Sequence, residues 1–60
     1  MRDSYERKKA EALAAHAAAS RLEAEAAALL GDQEQAQHYL QMAGQWEELA
    51  FAYQTATDRP

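Results

Sequence analysis

Few side chains in this chain are equipped for chemistry. His16 and His38 are the only imidazoles, and there is no cysteine. Metal sites and acid–base pairs need such groups brought within a few ångström of one another. If the chain folds back at its midpoint, His38 falls level with Ala27, eleven residues from His16. That is about 16 Å along a helix, so the two histidines cannot share an ion within one hairpin. They read as solvated or interface side chains. Glu34 and His38 are four apart and miss the ExxH spacing of di-iron bundles. Glu23 with Glu25, and Glu47 with Glu48, point to different sides of a helix. Ser4 and Ser20 lie far apart, and Gly31 alone does not make a phosphate-binding loop. No catalytic, metal or cofactor site is expected, and the chain reads as non-enzymatic.

Arg2, Tyr5, Arg7, Lys8 and Lys9 form the other candidate group. Basic residues beside an aromatic suit a nucleic-acid backbone and a stacked base. They equally suit a solvated helix end that pairs with Glu6, Glu11 and an acidic neighbour. The net charge of −4 and pI of about 4.9 oppose broad nucleic-acid or anionic-membrane binding. From Asp32 to Asp58 there is no Lys or Arg. No apolar run is long enough to span a membrane. The basic start lacks the Leu/Val/Ile core of a signal peptide, and Asp3, Glu6 and Glu11 argue against a transit peptide. The expected compartment is the cytoplasm.

These groups must be positioned by helices. Sixty residues make one domain at most. Eleven alanines between Ala10 and Ala28, with no Gly or Pro among them, predict one helix over 3–30. Asp3 or Ser4 is its expected N-cap. Gly31 suits the left-handed position that ends a helix, and Asp32 suits the N-cap of the next, with Gln35 completing a capping-box pattern. The turn therefore occupies 31–32, and a second helix is expected over 33–55. Gly44 falls inside it, either as an uninterrupted helical residue costing about 1 kcal/mol or as a kink. Thr55, Thr57, Asp58 and Pro60 read as a frayed end. So short a connection forces the helices antiparallel.

Heptad spacing on both helices supplies a seam. The second helix carries Ala36, Tyr39, Ala43, Trp46, Ala50 and Tyr53; the first carries Ala12, Ala15, Ala19, Leu22, Ala26 and Leu29. Folding at the turn stacks Leu29 on Ala36, Ala26 on Tyr39, Leu22 on Ala43, Ala19 on Trp46, Ala15 on Ala50 and Ala12 on Tyr53. Five of these six layers set an alanine against a large side chain, which fills volume without voids. The fold class is all-α, a two-helix antiparallel hairpin.

This seam leaves Leu13, Leu30, Leu40, Met42, Leu49 and Phe51 over, with Ala17 and Ala24 beside them. Exposed apolar surface on so small a chain marks a protein interface. There is no cysteine to staple the fold, so a homodimer forming a four-helix bundle, or another protein's helix, is the expected partner. The polar face of the second helix is glutamine-rich: Gln33, Gln35, Gln37, Gln41, Gln45 and Gln54. It reads either as neutral solvation or as a rim that avoids charge repulsion with a partner.

The run Gly31-Asp32-Gln33-Glu34-Gln35-Ala36-Gln37-His38-Tyr39-Leu40-Gln41-Met42-Ala43 resembles the turn and second helix of a tetratricopeptide repeat. Gly31, Asp32, Ala36 and Ala43 match that family's turn and small-residue positions, with Tyr39 or Leu40 as the aromatic. Trp46, Leu49, Ala50 and Tyr53 look like its first-helix pattern. Trp46 follows Ala43 directly, where the family inserts most of a turn, and no 34-residue period is present. The likeness covers about a third of the chain. It implies a helical hairpin that binds protein. The expected function is a small regulator, adaptor or chaperone-like subunit acting through an apolar helical face. The alternative is a nucleic-acid-binding hairpin dimer using the basic first turns.

Overall fold

The computed structural model describes residues 2–57, with side chains described over 3–55. Two helices make it up: α1, Arg2–Leu29, and α2, Gln33–Thr57. They pack against each other in a body 47 × 13 × 10 Å in extent. Asp58 and Pro60, read as part of a frayed end, and the side chain of Arg2 lie outside the described residues. Asp3 and Ser4 do not cap α1. The helix already contains Arg2, and Asp3 sits in its first turn, where a carboxylate suits the positive end of the helix dipole.

The turn is built from backbone groups that helix ends leave unpaired. Gly31 has φ +81°, the conformation an L side chain disfavours. The Gly31 N–H donates to Ala28 O at 3.0 Å and the Asp32 N–H to Ala27 O at 2.9 Å. This is a Schellman ending. Asp32 then starts α2: its Oδ1 accepts from the Gln35 N–H at 3.1 Å, and its carbonyl accepts from the Ala36 N–H at 3.0 Å. The reciprocal half of the capping box is not made, because the Asp32 N–H that Gln35 would bind is already given to Ala27. Leu30 thus belongs to the turn, and α2 runs unbroken through Gly44.

The face of α2 turned to α1 is the expected one: Ala36, Ala43 and Ala50 are buried, and Tyr39, Trp46 and Tyr53 half-buried between them. On α1 the expected face is wrong. Leu22 is 65% exposed and Leu29 90%, and Ala12, Ala15, Ala19 and Ala26 are exposed with them. The buried stripe is instead Leu13, Ala17, Ser20, Ala24 and Ala27, with Ala10 half-buried above it. This stripe also has heptad spacing but lies about 160° round the helix, at about 100° per residue.

Small-against-large packing survives the change of face. The turn and the cross-helix contacts put Ala10 level with Tyr53, Leu13 with Ala50, Ala17 with Trp46 and Ala24 with Tyr39. Ser20 with Ala43 and Ala27 with Ala36 are small on both sides. These layers let the backbones approach closely near the turn, where three residues must join the helices.

The two glycines separate conformation from space. A side-chain carbon at Gly44 would meet nothing within 4 Å, so Gly44→Ala should stabilise the hairpin by about 1 kcal/mol. Gly31 is equally open but has positive φ, so Gly31→Ala should destabilise by about 1–2 kcal/mol. Urea titration followed by helical ellipticity compares them, and equal effects would contradict the turn geometry. The same assay places the seam. Leu13→Ala should cost about 2–3 kcal/mol, and Leu22→Ala or Leu29→Ala under about 0.5 kcal/mol.

Candidate protein-interaction surface

Two packed helices enclose no interior, so the large side chains of the α2 seam keep one edge open. Tyr39, Trp46 and Tyr53 lean out on one flank of the hairpin. Met42 and Leu49 fall between them at spacings of three and four residues, so the five form a continuous stripe along α2. Met42 is half-buried and Leu49 is 48% exposed. The stripe runs beside Ala12, His16, Ala19 and Glu23 of α1. His16 lies over Trp46 with ring centroids 4.9 Å apart and planes tilted by 33°, within the range of favourable ring contacts. Nearer the turn, Glu23, Ala26 and Leu30 share a shallow groove with Gln35 and Tyr39.

The opposite flank is of another kind. Arg21 of α1 pairs with Glu47 of α2, both side chains about half exposed. This pair helps hold the register, and an exposed pair contributes at most about 1 kcal/mol. Below it, Leu40 edges a groove with Arg21, Ala24, Glu25, Gln33 and Gln37. Phe51, three turns further along the same side of α2, is 67% exposed. Towards the open end, Arg7, Glu11 and Ala14 line a groove with Ala50 and Gln54.

The expected interface residues are therefore not one surface. Met42 and Leu49 lie in the aromatic stripe, with Leu30 at its turn end. Leu40 and Phe51 lie on the Arg21–Glu47 flank. Leu13 is only 4% exposed and is part of the hairpin's own seam, as are Ala17 and Ala24; the change of face on α1 turned all three inward. Tyr39, Trp46 and Tyr53, assigned from sequence wholly to the internal seam, contribute their outer edges to the open surface. The signal for this was present: positions 39, 42, 46, 49 and 53 form a second heptad line that shares every large residue of the first.

The basic residues do not converge. Arg7, Lys8 and Lys9 are consecutive and exposed, so they radiate about 100° apart around α1. Lys8 pairs loosely with Glu11 at 3.7 Å, and Tyr5 is 59% exposed. His38 packs edge-on against its neighbour Tyr39, with centroids 5.5 Å apart, and so stands apart from His16. Among the described residues, no group of three or more His, Asp or Glu is placed to hold a metal, and no helix is long and apolar enough to cross a membrane.

Comparison with protein-family models, with curated proteins and with solved structures returned no match to this chain.

The ring contact is directly measurable, because Trp46 is the only tryptophan. Trp46 emission should move to longer wavelength in His16→Ala, which uncovers the indole, and stay in place in His38→Ala, whose ring lies on Tyr39 instead. Identical spectra for the wild type and His16→Ala would contradict the contact.

Proposed function

We propose that this chain is a small, non-enzymatic protein-binding module whose stripe from Tyr39 to Tyr53 is covered by helices of another polypeptide, completing a four-helix bundle. The carrying observation is the stripe itself: five large side chains in unbroken heptad order, three of them aromatic, on the open edge of a two-helix seam. Aromatic residues and Met are the types enriched where proteins meet, and Tyr and Trp often carry much of the binding energy. On the α1 side of the stripe Ala12 and Ala19 are small and exposed, which leaves room for a further helix on either side of His16. The likeness of Gly31–Ala43 to a tetratricopeptide hairpin points to the same class of work. In this reading the chain is a cytoplasmic regulator, adaptor or chaperone-like subunit, and its activity consists in what it holds. The nucleic-acid alternative has no comparable support, since Arg7, Lys8 and Lys9 radiate from α1 and do not form a patch.

A photo-crosslinking amino acid placed at Leu49, with Leu22 as control, tests the reading in living cells. Leu22 is the more exposed of the two, so exposure alone favours the control. The expected result is a covalent adduct with polypeptide from position 49 and little from position 22, abolished by Met42→Asp. Equal adducts from both positions, or none from position 49, would overturn the assignment.

A further inference from the structure

The stripe has a symmetry that a general docking surface does not need. Trp46 is its centre. Tyr39 lies seven residues before it and Tyr53 seven after, with Met42 four before and Leu49 three after. Read in either direction, the order is tyrosine, a flexible or branched aliphatic, tryptophan, an aliphatic, tyrosine. The α1 side of the same flank is balanced in position and opposite in charge. His16 stacks on Trp46. Lys9 lies seven residues before His16 and Glu23 seven after, each about 10.5 Å away along the helix. Heptad spacing puts all three on one face, and Glu23 is in fact beside Tyr39.

We propose that the occupant of the stripe is a second copy of this chain. The copies are related by a twofold axis that crosses both helices at the level of His16 and Trp46, with the turn of each hairpin over the open end of the other. This rests on the protein-binding reading above and names its partner. A twofold interface brings each patch onto itself, so residue i of one copy meets j of the other and j meets i. Here α2 lies antiparallel on α2, so Tyr39 comes over Tyr53 of the partner subunit, Met42 over the partner's Leu49, and Trp46 beside its own copy. On α1, Lys9 comes over Glu23 of the partner subunit, twice by symmetry.

Charge decides the orientation. The turn end carries Glu23, Glu25, Asp32 and Glu34 against Arg21 alone, while at the open end of α1 Arg7, Lys8 and Lys9 offset Asp3, Glu6 and Glu11. A parallel dimer, turn beside turn, sets the two acidic ends together; the antiparallel dimer sets each acidic end against the charge-balanced one and Glu23 against Lys9. Area agrees as well. The chain exposes 4788 Å², about 900 Å² more than the size law gives for a compact monomer of this mass. A standard interface removes about 800 Å² from each partner.

Sedimentation equilibrium and directed crosslinking together test this. The chain has no cysteine, so His16→Cys places one thiol per copy near the proposed axis. Mild oxidation should link two copies through the introduced thiols, whereas the same substitution at Leu22 should give no such link. Lys9→Glu and Glu23→Lys should each weaken the dimer about fivefold or more, since each breaks both symmetric pairs. The combined Lys9→Glu/Glu23→Lys chain should recover to within about twofold of the wild type, and an equal mixture of the two single variants should prefer mixed dimers. Both exposed substitutions leave the hairpin seam untouched, which circular dichroism verifies. A dimer that neither crosslinks at position 16 nor recovers in the double variant overturns the orientation and leaves the protein-binding reading standing. A monomer at all concentrations, with adducts from Leu49 going to a different protein, overturns the second copy alone. A monomer with no such adducts overturns both.

Discussion

Two helices can each bury only one stripe against the other, and this constraint shapes everything else in the molecule. A third helix would close the edges of the seam. Among the described residues nothing does so, and the large seam residues of α2, Tyr39, Trp46 and Tyr53, keep an outer edge. The chain responds by making most of the seam small. Among the described residues, alanine or serine occupies all but one of the buried positions on the two helices, which draws the backbones together and lets the few large residues span the interface. Those large residues are concentrated on α2 and lean to one side. The open aromatic stripe is thus a consequence of how the hairpin holds itself together.

The turn does more than reverse the chain. Gly31 and Asp32 route two N–H groups back to Ala28 and Ala27, and Asp32 then caps α2. With three residues between helices, these bonds set the rotation of α2 about α1 as well as its direction. The carbonyl of Ala27 receives the Asp32 N–H, so α2 begins over the side of α1 that carries Ala27 and Ala24. Leu22 and Leu29, on the far side, are left in solvent. The Arg21–Glu47 pair holds one flank and the His16–Trp46 contact the other.

In the binding proposed above, folding and association would draw on the same residues. Tyr39, Trp46 and Tyr53 are each part seam and part surface, so covering their outer edges also tightens the intramolecular packing. In the proposed complex, a partner on the stripe would supply the enclosure that two helices cannot give each other.

Much of the fold was legible in the amino-acid order. The helical character, the reversal at Gly31-Asp32 and the buried face of α2 each rest on local signals: alanine propensity, a glycine with a capping aspartate, and aromatics alternating with alanines at heptad spacing. What hydropathy left open was the face of α1. Alanine lies on every side of that helix, and two lines with heptad spacing compete, one through Leu22 and Leu29 and one through Leu13. Both set small residues against the large ones of α2, so pattern alone does not rank them. Only the three-dimensional path of the turn does, because the hydrogen bonds to Ala27 and Ala28 fix which side of α1 the returning chain must cross. That same path decided that Leu13 belongs to the seam, and that His16 of α1 lies over Trp46 beside Met42 and Leu49.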